Sequence, residues 1–143
     1  MKSVYISKKQ VDETLAVEPT IGKKNLEPFL AFAKANNLPF SILEDHQVMT
    51  NNAEVHLDEA DLWLCLEGEA TFVCDGELVE PWFNKSADGV ENKRELRAKT
   101  IKSGTTYKLK PSDWLWIPVG VSHQHSAATT ARLVIIKILP GKK

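Results

Sequence analysis

Ala53-Glu54-Val55-His56-Leu57-Asp58-Glu59-Ala60-Asp61-Leu62-Trp63-Leu64-Cys65-Leu66-Glu67-Gly68 decides how this chain reads. Residues 54 and 56 have the same parity, so on an extended strand both side chains leave from one face. Asp61 follows a short polar connection and opens a second apolar run, from which it can converge on the same point. Trp63 and Cys65 share the parity of Asp61 and are expected along the same wall. A second stretch complements the first: Asp113-Trp114-Leu115-Trp116-Ile117-Pro118-Val119-Gly120-Val121-Ser122-His123. Pro118 fixes the backbone and Gly120 frees it, a pairing that re-aims the chain and turns His123 inward.

Around these stretches the pattern is a series of short strands from Phe40 onward. Phe40 to Leu43, Gln47 to Met49, Ala53 to His56, Asp61 to Leu66 and Ala70 to Cys74 are bounded by Asp, Asn and Gly. Asp75-Gly76 is a hairpin signal with Glu77 to Glu80 as the return strand. Tyr107 to Leu109, Trp114 to Ile117 and Arg132 to Leu139 complete the set, with Trp114 and Trp116 expected in the core and wall. Residues 81–104 are polar, long enough for a lid or a dimer contact rather than a plain turn, and Glu95 to Ile101 within them suits a strand. Residues 1–38 differ. Ser7 and Gln10 form a capping box ahead of Val11 and Leu15, and a second helix is expected near Asn25, with Leu26, Phe29, Leu30 and Ala33 on one face and Asn36-Asn37 at its end. With no linker between the two parts, residues 1–143 are expected to form one all-β domain: a barrel over 40–139 with a helical extension over 1–38.

The two stretches resemble the paired motifs of the cupin superfamily, and the resemblance covers roughly residues 40 to 139. In the first motif, Gly68 anchors the register. Asp61 then takes the acid position, His56 the second histidine and Glu54 the first, while Val48 stands where a glycine opens the pattern. In the second, Pro118, Gly120 and His123 match the centre, with Ser112 at a glycine position and Ala127 at an asparagine position. The resemblance implies a jelly-roll β-barrel, a homodimer, and a first shell of Glu54, His56, Asp61 and His123. A register one step different would use Asp58 or Glu59 instead, neither at the right distance from Gly68. Two imidazoles and two carboxylates without thiolate suit one divalent ion, Fe, Mn, Ni or Zn.

Composition narrows the rest. The net charge of −1 offers no basic field for nucleic acid or acidic lipid. No apolar run reaches membrane-spanning length and the N-terminus lacks a signal-peptide core, so a cytoplasmic protein is the expectation. Cys65 and Cys74 read as diagonal neighbours on two arms of a hairpin turning at Gly68-Glu69, about 7–8 Å apart and too far for an unstrained bridge.

The function expected is that of a metal-dependent enzyme on a small polar molecule such as a sugar or sugar-acid derivative, by isomerisation, epimerisation or elimination. Glu59 at the mouth and His125, which shares the parity of His123, are the candidate proton-moving groups, with His46 and Glu54 behind them. His125 would equally serve as an ordinary satisfied histidine. Two histidines with one carboxylate also match non-haem iron oxygenases. A non-catalytic cupin that binds a small ligand is the reading from another class.

Overall fold

The computed structural model describes residues 1–141. The chain opens with α1 (Lys8–Leu15), capped as expected: the Gln10 amide donates to Ser7 Oγ at 3.2 Å, and the Ser7 amide to Gln10 Oε1 at 3.0 Å. It continues through β1 (Gly22–Asn25), α2 (Phe29–Ala35), β2 (Phe40–Val48), β3 (Ala53–His56), β4 (Ala60–Gly68), β5 (Ala70–Cys74), β6 (Glu77–Leu78) and β7 (Trp82–Lys85). Then come β8 (Glu91–Ala98), β9 (Ile101–Lys102), β10 (Thr105–Leu109), β11 (Trp114–Ile117) and β12 (His123–Ile138).

Two antiparallel layers share β12. Residues 130–138 of β12 lie between β2 and β4, giving the order β1-β2-β12-β4-β11. Residues 123–126 lie in the other layer, whose order is β7-β8-β3-β12-β5-β10. The register of β12 on β2 shifts between Ala127 and Thr130, where the strand passes from one layer to the other. Gly68 packs against this bend at φ +72°, and a Cβ there would fall 1.8 Å from the Thr130 carbonyl oxygen, so only glycine fits. Pairing is not continuous around the structure: β1, β11, β7 and β10 each have one unpaired side. The sheet is therefore not closed, in contrast to the expected closed barrel.

The interior is apolar, built on Leu43, Trp63, Phe72, Leu109, Leu133 and Ile135. A second cluster on the outer face of the first layer joins Ile42 to Leu26, Phe29 and Ala33, so the helices cover that face. Inward and outward positions alternate along β2 and β12, as the pleat requires.

Several local expectations fail, the hairpin ones because strands adjacent in sequence pair elsewhere. β4 and β5 do not form a hairpin across Gly68-Glu69, since each pairs with its own part of β12. Cys65 and Cys74 are nonetheless free and buried, and burial pushes their thiols up to about 11 and about 12. After Asp75-Gly76, β6 pairs with β9 instead of returning along β5. Residues 22–25 form a strand on β2, so the second helix starts at Phe29, after Pro28, and not near Asn25. Trp114 and Trp116 are 59% and 52% exposed, outside the core, because Leu115 and Ile117 take the inward parity of edge strand β11. Residues 82–98 form the β7–β8 hairpin that extends the second layer.

Candidate metal centre and its cavity

Glu54 and His56 leave the same face of β3, and the register pairs Glu54 with His123 on β12. The two motifs are also joined through the backbone. The Gly120 amide, in a turn at φ +79°, donates to the His56 carbonyl at 2.8 Å. Asp61 opens β4 opposite Ile117, the last residue of β11 before Pro118. Ser112, at the position where the motif carries glycine, holds a glycine-like φ of +77°.

These placements bring the four sequence-assigned groups together around His56, whose ligand atoms cluster with Glu54 and His123 on one side and with Glu59 and Asp61 on the other. His56 Nε2 lies 3.5 Å from Glu54 Oε2 and 3.6 Å from Asp61 Oδ2. His123 Nε2 lies 3.8 Å and 3.4 Å from the same two oxygens. Ligands about 2.0–2.2 Å from a common ion stand roughly 3–4 Å apart, so the spacing suits a divalent ion. Asp61 is 1% exposed and its Oδ2 has no hydrogen-bond partner among the described residues. Lys137 Nζ donates to the other oxygen, Oδ1, and Oδ2 is the buried oxygen left to meet a further cation. The residues fit the implied metal.

The imidazoles are oriented for it. His123 Nδ1–H donates to the Val121 carbonyl at 3.3 Å, leaving the Nε2 lone pair toward the carboxylates. Burial pushes His123 down to about 4, against the attraction of Asp61 and Glu54, so it is a neutral donor near pH 7. His56 Nδ1 faces Glu95 Oε1 at 3.4 Å and Glu59 Oε1 at 3.9 Å. Burial lowers the His56 pKa, but the bond to Glu54 and the charges of Asp61 and Glu54 outweigh it and raise it overall. Burial raises Glu54, yet His56, Lys23 and His123 together hold it well below the carboxylate range.

A pH dependence follows for protein stripped of ions by a chelator. Between about pH 6.5 and about 4 the unfolded chain protonates His123 and the folded one does not, so stability falls as the pH is lowered, by on the order of 3 kcal/mol. Glu54 acts in the same sense below its ordinary value of 4.5. His56 acts oppositely: its contribution is present below 6.5 and is lost as the pH rises through its raised pKa. Urea denaturation at pH 4.5, 5.5 and 6.5 measures this. A midpoint that is flat or rises toward acid would contradict the burial of neutral His123.

The centre opens into a cavity of about 650 Å³, lined by Glu54, Asp61, Trp63, His125 and Lys137 and walled by Leu43 and Ile135. His125 is 3% exposed, and its Nδ1 lies 2.5 Å from Asp45 Oδ2. Its ring packs near Trp63, with centroids 5.2 Å apart. Glu59, expected at the mouth, is not among the residues lining this cavity; it lies 3.4 Å from Lys137 Nζ. His46 has outward parity on β2, bonds Thr130 Oγ1 at 2.6 Å, and does not line the cavity.

Four residues near the centre or cavity escape the sequence motifs. Glu95 and Arg97 come from β8, opposite His56 and Glu54, and Arg97 reaches Glu54 Oε1 at 3.5 Å. Asp45 anchors His125. Lys137 lies directly across from Asp61 and donates to Asp61 Oδ1 at 2.7 Å. An ionic residue at an inward position, as Lys137 is within Ile135-Ile136-Lys137-Ile138, is the signal that would have found it.

No protein-family model matches the chain, and no curated protein matches its sequence. Solved structures do. A protein described as a predicted oxalate decarboxylase from Thermotoga maritima is 15% identical, with a TM-score of 0.50 over 82% of this chain and 79% of that one. Hydroquinone 1,2-dioxygenase from Sphingomonas sp. TTNP3 is 13% identical, with a TM-score of 0.46 over 72% of this chain and 61% of that one. The Drosophila melanogaster CENP-C cupin domain is 12% identical, with a TM-score of 0.44 over 68% of this chain. This chain spans 55% of the CENP-C chain, less than two thirds of its length. No helix among the described residues is long and apolar enough to cross a membrane. Two antiparallel layers sharing one long strand, with the Thermotoga protein matching over most of both chains, make this a cupin fold.

Proposed function

We propose that the chain is a metal-dependent cupin enzyme that moves a proton on a small polar molecule, of sugar or sugar-acid type, by isomerisation, epimerisation or elimination. One observation carries this reading: His56 and His123 each present Nε2 to Glu54 and Asp61 carboxylate oxygens at 3.4–3.8 Å, where the two carboxylates line a cavity of about 650 Å³. That volume is in the range of small-molecule sites. A divalent ion bound there would supply Lewis acidity toward a carbonyl or enolate oxygen, moderated by its two carboxylate ligands.

The chain's own residues do the remaining work. Asp45 accepts from His125 Nδ1–H, which fixes the tautomer and makes Nε2 the basic nitrogen; Nε2 accepts from Asn51 Nδ2 at 3.4 Å, a bond that has to open before it takes a substrate proton. That imidazole lines the cavity and is the group we assign to proton transfer. Glu59, a quarter exposed beside His56, is the second candidate. Trp63 and Ile135 form an apolar wall that limits water near the reacting atoms.

A second reading is favoured by one further feature. Glu54, His56 and His123 alone form a cluster of two histidines and a carboxylate, while Asp61 is engaged by Lys137. That donor set is the facial triad of non-haem iron oxygenases. Elemental analysis of untagged protein, followed by oxygen-electrode measurements with added Fe(II), tests both. A stoichiometric divalent ion without oxygen uptake supports proton-transfer chemistry, and iron with oxygen uptake supports the second reading. A site that takes up no added divalent ion would end both.

A further inference from the structure

Lys137 sits where an ion's charge would be felt. Its Nζ is 2.7 Å from Asp61 Oδ1, 3.3 Å from His56 Nε2 and 3.4 Å from Glu59 Oε1. His56 Nε2 has one lone pair, which can accept from the ammonium or coordinate an ion but not do both. An ammonium so close to a divalent ion is also repelled by it. The side chain is 37% exposed and lines the cavity, so its flexible stem has somewhere to go. The other cations lining that space, Lys23 and Lys34, make no ion pair within 4.0 Å among the described residues. Once an ion neutralises Glu54 and Asp61, the cavity lining is left with three ammonium groups and no free carboxylate.

We propose that Lys137 is a tethered cation which holds the ion's place at Asp61 and His56, and that a divalent ion displaces it into the cavity to bind a carboxylate on a small organic anion. The inference rests on the ion-centre reading above and adds the charge of the ligand and the order of binding, ion before anion. The bland alternative is a cross-strand ion pair that only stabilises β4 against β12. The two differ in sign. A purely structural lysine, once removed, leaves ion affinity unchanged or weaker, whereas a competitor, once removed, leaves it stronger.

The experiment uses the full chain as wild type, Lys137→Met and Lys137→Arg, with Lys137→Gln as a second neutral variant should the methionine protein fold poorly. Calorimetric titration of chelator-treated protein with Mn(II) and Zn(II) should show at least tenfold tighter binding in the neutral variants, with Lys137→Arg near wild type. Ion-loaded wild type should then bind lactate at least tenfold more tightly than lactamide, its uncharged analogue, and the neutral variants should lose that preference. Equal or weaker ion binding by the neutral variants would overturn the inference while leaving the ion centre standing. So would an anion preference that is absent from wild type or that persists without Lys137. If no variant takes up an ion, the ion-centre reading fails first and this one with it.

Discussion

His123→Ala is expected to lower affinity for a divalent ion by at least about a hundredfold, on the order of 2.7 kcal/mol of binding energy. His123 Nε2 is the donor closest to Asp61 Oδ2, at 3.4 Å, and the residue is only 2% exposed. Because burial holds it near pKa 4, the ring meets an ion as a neutral ligand and little binding energy is spent on losing a proton. Without it, two carboxylates and one imidazole remain, and water has to enter a closed position to replace the lost donor. Loss of outer-shell partners alone typically weakens sites 10–100-fold, so removal of a direct donor belongs at or beyond the top of that range. His125→Ala is the matched control, since that ring also lines the interior but faces Asp45 rather than the four-group centre. Elemental analysis together with calorimetry measures the difference. Retention of a stoichiometric ion by His123→Ala at wild-type affinity would exclude the centre as described.

How much of this was legible depends on the distance over which each group is specified. Glu54 and His56 are two residues apart on one strand, so their shared face follows from the pleat alone. Pro118 and Gly120 turn His123 inward within a few residues, and the turn is then tied down by the Gly120 amide on His56 and by Ser122 on Asp75 and Gly76. These local features could be read directly. Glu95 and Arg97 could not, because each reaches the centre through the register of a partner strand far away in sequence, and although Lys137 stands out as an ion in an apolar run, its partner Asp61 is set by the same kind of register. The same limit explains the hairpins expected at Gly68-Glu69 and Asp75-Gly76. Turn chemistry marks where the chain reverses, but which layer the next strand joins is settled by β12, which serves both. Trp114 and Trp116 misled for a different reason. An aromatic pair at alternate positions announces one face of a strand, and bulk alone does not say whether that face is inside.

Arg132→Met should destabilise the fold by about 3–5 kcal/mol, the cost of leaving a buried partner charge uncompensated. Arg132 is 3% exposed and Glu44 is wholly buried beside it, with Arg132 Nε donating to Glu44 Oε1 at 2.9 Å and Nη2 lying 2.8 Å from the same oxygen. The guanidinium also donates to the Leu15 and Val17 carbonyls, so one side chain fastens the end of α1 and the segment after it to the outer face of β12. Methionine would fill the space but leave both carbonyls and one carboxylate oxygen without these donors. Lys24, 3.5 Å from Glu44 Oε2, and the Thr20 amide at 3.3 Å would soften the loss without replacing it. A drop in melting temperature on the order of 10 °C or more is expected. Since the burden is the stranded carboxylate, Glu44→Met combined with Arg132→Met should recover most of the loss, giving a double variant more stable than Arg132→Met alone. Thermal melts of the two single variants and the double variant decide it. A single-variant loss under 1 kcal/mol, or a double variant less stable than Arg132→Met, would show that the N-terminal segment is held by the apolar contacts of Leu26 and Phe29 rather than by this ion pair.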